Sequence, residues 1–171
     1  MSIITVSRGS YSHGREIAER FAQVLNYECI SREILIEASQ EFNISEIKLY
    51  HAVHDAPTLI DLISLNKDRY IIFFESAILK HLKKDNVVYH GLAGHFFLKD
   101  IAHVLKVRII ADMEERIKLI RERNGGTIKE ASRYIKKIDE QRRKWSQHLY
   151  GIETSNPSLY DIVMNVSQVP V

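Results

Sequence analysis

The chain has 171 residues, of which 45% are hydrophobic and 27% are charged, and its formal net charge is +2 at pH 7. This length suits one domain with a substantial core, and the nearly balanced charge gives no reason to expect general nucleic-acid binding. A single cysteine, Cys29, excludes an intrachain disulfide and fits a reducing compartment. No apolar run approaches the ~20 residues of a membrane span, and a strand directly after Met1 and Ser2 leaves no room for a signal peptide. We therefore expect a cytoplasmic protein without a membrane partner.

The apolar pattern alternates between short runs typical of strands and longer runs typical of helices, which predicts an α/β fold. The predicted strands are Ile3–Ser7, Tyr27–Ile30, Asn86–His90, Val107–Ala111 and Asp161–Val166. Several are continuous apolar runs, as in parallel strands covered on both faces. The predicted helices are Arg15–Leu25, Ser31–Phe42, Ile44–Val53, Thr58–Ser64, Asp68–Lys84, Met113–Arg123 and Ile128–Leu149.

Two helical stretches are longer than a simple crossover between strands requires. Residues 31–85 separate the second and third predicted strands, and residues 112–150 separate the fourth and fifth. Such excursions tend to lie over the carboxyl ends of the strands, where α/β sheets place their ligands. We expect a single domain, residues 1–171, in which 31–85 forms a substrate-side insertion and 112–150 a lid-like region.

The loop between the first strand and the first helix is bracketed by Gly9 and Gly14. Strand, glycine-bracketed loop and helix is the layout of a phosphate-binding P-loop, in which backbone N–H groups and the helix N-terminus hold an anion. Arg15 occupies the place of the motif's lysine, and Glu16 that of its Mg²⁺-binding serine or threonine. Further candidate phosphate contacts are Arg8, Ser10, Ser12 and His13. The alternative is a strand-to-helix turn that requires glycine for its geometry.

A second candidate segment, Tyr89–His95, follows the third predicted strand and carries two glycines and two histidines. At the carboxyl end of a strand these residues are placed to contact a substrate base or phosphate. The alternative is a tight turn with partly exposed histidines. No third ligand accompanies His90 and His95, so we predict no metal site there, and His51 and His54 with Asp55 are typical of a solvated helix face.

The last predicted helix carries an apolar stripe in which one position is an arginine. The stripe consists of Ala131, Ile135, Ile138, Arg142, Trp145 and Leu149. Unpaired burial of a guanidinium is costly, so Arg142 needs a partner or a ligand. Either it pairs with Asp139, one turn earlier, or it reaches a phosphate cleft, as lid arginines do in phosphoryl transfer. Other cations nearby in sequence are Arg116, Arg121, Arg123 and Arg133.

Taken together, these segments resemble the cytidylate kinase-like family, a branch of the P-loop nucleoside monophosphate kinases, over nearly the whole chain. The resemblance rests on Ile4–Arg8 running into Gly14–Ala18, and on Ser31–Leu35, Gly91–Leu98, Val107–Arg116, Tyr134–Arg142, Tyr150-Gly151 and Asn156–Asn165. It implies a three-layer P-loop kinase fold with a five-stranded parallel sheet in the order 2-3-1-4-5. It also implies an ATP site at the loop and an acceptor of the CMP type.

Some positions depart from the family's pattern. The loop keeps only the last of several glycines in Tyr11-Ser12-His13-Gly14, whereas Arg15 and Glu16 are common in this branch. Ser31 replaces an aspartate, and Leu92 replaces an arginine that helps to hold the nucleotide in cytidylate kinases. These changes weaken the expectation of cytidine specificity.

We therefore expect an ATP-binding, kinase-like protein that transfers the γ-phosphoryl group to a nucleoside monophosphate or another small acceptor. The alternative is a catalytically silent nucleotide-binding sensor or scaffold with the same fold. The expected nucleotide contacts are Gly9, Ser10, Ser12, His13, Gly14, Arg15 and Glu16, with Mg²⁺ accompanying ATP if the protein is active. The expected catalytic cations are Arg15, Arg116, Arg123 and Arg142. The expected acceptor contacts are Arg32, Gly91 and His95.

Overall fold

The computed structural model describes residues 3–31, 33–49, 66–91 and 94–169, with backbone alone at 66–68, 94–95 and 148–149. Its strands are β1 (Ile3–Arg8), β2 (Glu28–Ile30), β3 (Val87–His90), β4 (Val104–Ile110) and β5 (Ile162–Asn165). They form one parallel sheet in the order β2-β3-β1-β4-β5, which confirms the predicted fold class and strand order. Strand β1 is central, with Ile3 opposite both Val87 and Val104.

Apart from the short helix at Gly94–Phe97, which was not predicted, the helices lie close to their predicted positions wherever the structure describes them. They are α1 (Gly14–Leu25), α2 (Glu33–Glu41), α3 (Asn66–Leu82), α4 (Gly94–Phe97), α5 (Met113–Asn124) and α6 (Ile128–Tyr150), followed by a 3-10 turn at Pro157–Leu159. The predicted helix at Thr58–Ser64 lies outside the described residues, and of the one predicted at Ile44–Val53 only 46–49 is described as helical. None of the helices in the described part of the chain is long and apolar enough to cross a membrane.

The sheet separates two hydrophobic cores, and alternate residues of its strands contribute to opposite faces. Val87 belongs to the core that α2, α3 and Trp145 of α6 complete, whereas Val88 belongs to the core that α1 completes. Both valines are fully buried. This arrangement accounts for the continuous apolar runs of the central strands, because helices cover both faces of the sheet there, whereas the edge strand β5 is exposed. Because β1, β3 and β4 are parallel, their carboxyl ends lie at the same edge of the sheet.

Helix α6 is defined by strong start and stop signals. Gly125 and Gly126 adopt positive φ angles of 72° and 88° and end α5. Thr127 then caps α6: its Oγ1 accepts from the Glu130 N–H at 3.2 Å, and Glu130 Oε2 accepts from the Thr127 N–H at 2.9 Å. Gly151, with φ 64°, closes the helix.

The apolar stripe of α6 packs against two different parts of the molecule. Ala131 and Ile135 pack with Ile120 of α5, whereas Trp145 is buried in the main core. The segment between them, which includes Asp139 and Arg142, contacts the end of β1 and the loop that follows it. Helix α6 therefore passes over the carboxyl edge of the sheet, where the candidate site lies.

Candidate functional site

A cleft of about 1270 Å³ opens at the carboxyl ends of β1, β3 and β4 and is walled on one side by α6. Cationic side chains outnumber acidic ones in its lining. The cations are Arg8, Arg15, Arg108, Arg116, Lys136, Lys137, Arg142 and Arg143, and the acids are Glu19, Glu33, Asp139, Glu140 and Glu153. Such a surplus of positive charge in a concave site attracts anionic ligands.

The loop after β1 presents the N-terminus of α1 to this edge. His13 precedes the helix in the left-handed conformation, with φ 56°, and its side chain makes no capping hydrogen bond. The first turn of α1 therefore lacks a side-chain cap for its N–H groups, which is the arrangement that favours an anion. Gly14 is required by packing, because a Cβ at this position would lie 2.5 Å from Cβ of Arg8.

The two loop serines are buried and engaged within the protein. Ser12 Oγ donates to the backbone oxygens of Gly9 at 3.0 Å and Ile109 at 3.3 Å, which ties the loop to β4. Ser10 is only 4% exposed, and its Oγ donates to Asp139 Oδ1 at 2.7 Å. The serine hydroxyls thus stabilise the conformation of the loop through contacts within the protein. The uncapped N–H groups at the start of α1 are the part of this segment suited to an anion.

Arg116 connects three parts of the site. Its Nε donates to the backbone oxygen of Ser10 at 2.7 Å, and its Nη2 donates to Ser10 Oγ and to Asp139 Oδ2, each at 2.6 Å. The guanidinium therefore joins α5, the loop and α6 through charge-assisted hydrogen bonds. Asp139 is thus the partner of Arg116, and no hydrogen bond joins it to Arg142 among the described contacts.

Three other arginines, Arg8, Arg108 and Arg142, converge on the cleft without a carboxylate partner among the described residues. Arg142 Nη1 donates to the backbone oxygen of Arg8 at 3.2 Å. Arg108 Nη1 donates to Tyr160 Oη at 3.2 Å. We call Arg8, Arg108 and Arg142 the arginine cluster.

The three residues of the arginine cluster are half-buried. Burial lowers the pKa of Arg8, and burial together with the charge of Arg8 lowers the pKa of Arg142. Arginine nevertheless stays protonated, since its pKa in water is far above neutrality. Among the described contacts their hydrogen-bond partners are neutral groups, although the nearby carboxylates of Asp139 and Glu19 partly offset the charges of Arg142 and Arg8. An anionic ligand would supply further counter-charge.

Residues 3–168 match the sequence profile of the cytidylate kinase-like family. This chain belongs to the cytidylate kinase-like family. The cytidylate kinase of Pyrobaculum aerophilum is 23% identical over 172 residues, which cover 100% of this chain and 87% of that protein. The cytidylate kinase of Thermococcus kodakarensis is 33% identical over 85 residues, which cover 50% of this chain but only 43% of that protein. The match thus spans less than half the length of that relative.

Solved structures show the same fold at low sequence identity. An uncharacterized protein from Eubacterium ventriosum superposes with a TM-score of 0.73 at 22% identity, over 99% of this chain and 90% of that one. Shikimate kinase from Bacteroides thetaiotaomicron superposes with a TM-score of 0.56 at 12% identity, over 95% of this chain and 85% of that one. The cytidylate kinase-like chain therefore has a P-loop kinase fold.

At the two positions where a P-loop carries its lysine and its hydroxyl, this family member has ion-paired side chains. Arg15 is 70% exposed and its Nε contacts Glu19 Oε1 at 2.8 Å, one turn along α1. Glu16 pairs with Arg123 of α5. Arg15 lies at the rim of the cleft, whereas Arg123 is not among the residues that line it. Catalytic roles for Arg15 and Arg123 stay predictions.

The predicted acceptor contacts are only partly described. Gly91 lines the cleft, and a Cβ there would lie 2.8 Å from the Tyr89 hydroxyl. Arg32 lies outside the described residues, as do Leu92, His51 and His54, and only the backbone of His95, in α4, is described. The cleft is also lined by the apolar side chains of Leu35, Phe74, Phe96 and Trp145 and by the polar residues Ser31 and Glu33.

The contacts of two cleft residues, Arg108 and His90, differ from what the sequence predicts or were not predicted from it. Arg108 was noted only within a family-like segment, although a charged residue inside an otherwise apolar strand is a signal of function or pairing. His90 was considered as a substrate contact, but the structure gives it a partner, with Nδ1 2.7 Å from Arg8 Nη1. Burial and the charge of Arg8 lower the pKa of His90 to about 4.

The family implies ATP and Mg²⁺, and the site suits a polyphosphate. The uncapped helix N-terminus and the arginine cluster supply donors and positive charge. Within the described part of the chain, no group of three or more histidine, cysteine, aspartate or glutamate side chains is placed to hold a metal.

Proposed function

We propose that this protein binds a nucleoside triphosphate in the cleft and transfers its γ-phosphoryl group to a small acceptor such as a nucleoside monophosphate. The observation that carries the proposal is the arginine cluster, three half-buried guanidinium groups that line the cleft and make no ion pair with a described carboxylate. Buried cations without a counter-ion destabilise a protein, and a polyphosphate offsets that cost when it binds. Membership of the cytidylate kinase-like family adds independent support.

The loop and α1 are proposed to bind the phosphates of the nucleotide. Gly9 and Arg15, on either side of the helix start, line the cleft, and the first turn of α1 has no side-chain cap for its N–H groups. Arg116 holds Ser10 in place from α5 and thereby keeps the loop in one conformation. Mg²⁺ bound to the nucleotide would reduce the negative charge of its phosphates.

The arginine cluster is proposed to act on the reacting phosphoryl group. Phosphoryl transfer needs little covalent participation from the protein and depends on positioning and on electrostatic stabilisation of developing charge. Arg8 and Arg142 come from different elements but are joined through the Arg8 carbonyl, so they present their charges from fixed positions. Preorganised charges of this kind stabilise a transition state without reorganisation at the moment of reaction.

The acceptor is proposed to bind at the end of the cleft between α2, α3 and α4. Leu35, Phe74 and Phe96 give this end an apolar wall suited to the face of a nucleobase, and Glu33 lies beside it as a polar contact.

A catalytically silent nucleotide binder is the second candidate function. It is favoured by Arg15–Glu19 and Glu16–Arg123, the two ion pairs at the positions where a P-loop carries its lysine and its Mg²⁺-binding hydroxyl. If these pairs persist with the nucleotide bound, neither side chain contributes to turnover. Binding would then serve to sense or to position the nucleotide.

The two functions are separated by measuring binding and transfer in the same preparation. Mg·ATP is titrated calorimetrically, and transfer is then assayed against a panel of nucleoside monophosphates. Transfer to at least one acceptor supports the kinase, whereas binding without transfer supports the silent binder. Absence of ATP binding at millimolar concentration contradicts both. Arg20→Ala is a matched control, because Arg20 is an exposed arginine of α1 that contacts Gln23 and does not line the cleft.

A further inference from the structure

His90, at the carboxyl end of β3, makes an unusual contact for a buried histidine. It is 4% exposed, and its Nδ1 lies 2.7 Å from Nη1 of Arg8. A guanidinium has donors only, so the imidazole nitrogen must be the acceptor in this hydrogen bond. The proton of the neutral ring is therefore on Nε2. Burial and the adjacent positive charge both favour this neutral form.

Arg8 is held from more than one side. Gly14 packs directly against its side chain, since even a methyl group at that position would lie 2.5 Å from Cβ of Arg8. The backbone oxygen of Arg8 accepts from Arg142 Nη1 at 3.2 Å. The hydrogen bond to His90 fixes the remaining free part, the guanidinium. His90, Arg8 and Arg142 thus form one connected chain in the lining of the cleft.

We propose that His90 is a positioning residue whose neutral imidazole orients the Arg8 guanidinium for a phosphate-bearing ligand without consuming its charge. The proposal rests on the proposed function, because it assumes that the cleft binds polyphosphate. A carboxylate at this position would pair with Arg8 and compete with the ligand for it. An aliphatic side chain would leave the guanidinium without an acceptor and free to rotate. A neutral acceptor avoids both effects.

The same geometry excludes one role for His90. A general base needs a nitrogen lone pair directed at the substrate, and in the neutral ring only one nitrogen carries such a pair. Here that nitrogen is Nδ1, and Arg8 occupies it. His90 therefore does not act as a general base while this hydrogen bond persists.

Three substitutions separate orientation from charge. Inorganic pyrophosphate is titrated calorimetrically into the full chain and its His90→Asn, His90→Leu and His90→Asp variants. We expect His90→Asn, whose amide oxygen replaces Nδ1 as a neutral acceptor, to bind within about threefold of the native protein, and His90→Leu to bind about tenfold more weakly. His90→Asp should also bind more weakly, with a smaller dependence on ionic strength, because Arg8 is then neutralised. His103→Leu, which removes an exposed histidine, serves as the control.

Nitrogen NMR of the imidazole gives a readout that needs no ligand. At neutral pH we expect His90 to be the Nε2–H tautomer with a hydrogen-bonded Nδ1. A protonated Nδ1, or equal weakening by His90→Asn and His90→Leu, overturns the proposal. If His90→Leu fails to fold, the comparison of His90→Asn with His90→Asp decides. A third outcome is that NMR shows the Nε2–H tautomer but the native protein does not bind pyrophosphate. That outcome confirms the Arg8–His90 hydrogen bond and contradicts both the proposed function and the ligand-positioning role.

Discussion

Arg116 of α5 donates to Asp139 of α6 across 2.6 Å, and both side chains also bond to Ser10 of the loop after β1. This contact connects α5 and α6 to the loop that is proposed to hold phosphate. The three residues lie far apart in sequence, yet they make one hydrogen-bonded unit. Removal of any member deprives the others of a hydrogen-bond partner, which costs free energy when the remaining groups are shielded from water.

Substitution of Asp139 should therefore loosen both the loop and α6. Because Arg116 would keep only Ser10 as a partner, we expect Asp139→Ala to lower the free energy of unfolding by about 1–3 kcal/mol. Urea unfolding measures the change. Glu140→Ala is the neighbouring control: Glu140 pairs with Arg143 on the exposed face of α6, and its loss should have little effect. Equal stability of the Asp139→Ala and native proteins would show that the contact is not maintained in solution.

The packing of Gly14 against Arg8 gives a second prediction. A methyl group 2.5 Å from Cβ of Arg8 forces one of the two elements to move, so Gly14→Ala should destabilise the protein by about 1–3 kcal/mol. Thermal unfolding measures this. Gly9→Ala is the control for stability, since a Cβ at Gly9 would make only an ordinary contact of 3.7 Å with Ser12 Oγ. A Gly14→Ala variant as stable as Gly9→Ala would contradict the close approach of α1 to Arg8.

The burial of His90 predicts a pH dependence of stability. Burial and Arg8 lower its pKa in the folded protein to about 4, whereas the unfolded chain has the ordinary value of about 6.5. Between these values the unfolded state binds more protons, so stability falls as the pH is lowered from about 6.5 to 4, by a total of roughly 3 kcal/mol. Denaturant unfolding across this range measures the slope. His90→Asn should remove this contribution, and an unchanged slope in that variant would assign it to other groups.

Arg15 and Arg142 are expected to contribute differently to the affinity for ATP. Arg15 is exposed and paired with Glu19, whereas Arg142 is largely buried and lies within the arginine cluster. Arg15→Ala should weaken ATP binding less than Arg142→Ala does, as measured by calorimetry of the two variants side by side. The opposite order would show that Arg15 leaves Glu19 when the nucleotide binds and takes the role of the P-loop lysine.

Much of the fold was predictable because its signals are local. Most of the strands contain a short apolar run, and the long helix is marked by Gly125, Gly126 and the Thr127 cap. The prediction began β4 three residues too late, since Lys106 interrupts the apolar pattern although its backbone pairs with Thr5. Helix α4 was not predicted because its four residues are too short to show a helical period.

The candidate site was predictable in its location but not in its contacts. The spacing of the apolar stripe placed Arg142 on the inner side of α6, where the structure has it. Asp139 was one proposed partner of Arg142, but it lies against Arg116 and Ser10. Such pairings depend on how α5, α6 and β1 pack together, and sequence spacing carries no information about contacts between separate elements.

The central claim is that the arginine cluster binds the phosphates of a nucleotide. Calorimetric titration of Mg·ATP into the native protein, Arg142→Ala and the control Arg20→Ala tests it most directly. Loss of a charged hydrogen bond predicts binding about tenfold or more weaker in Arg142→Ala, with Arg20→Ala unchanged. Equal affinity in all three proteins, or no binding by the native protein at millimolar ATP, would contradict the claim.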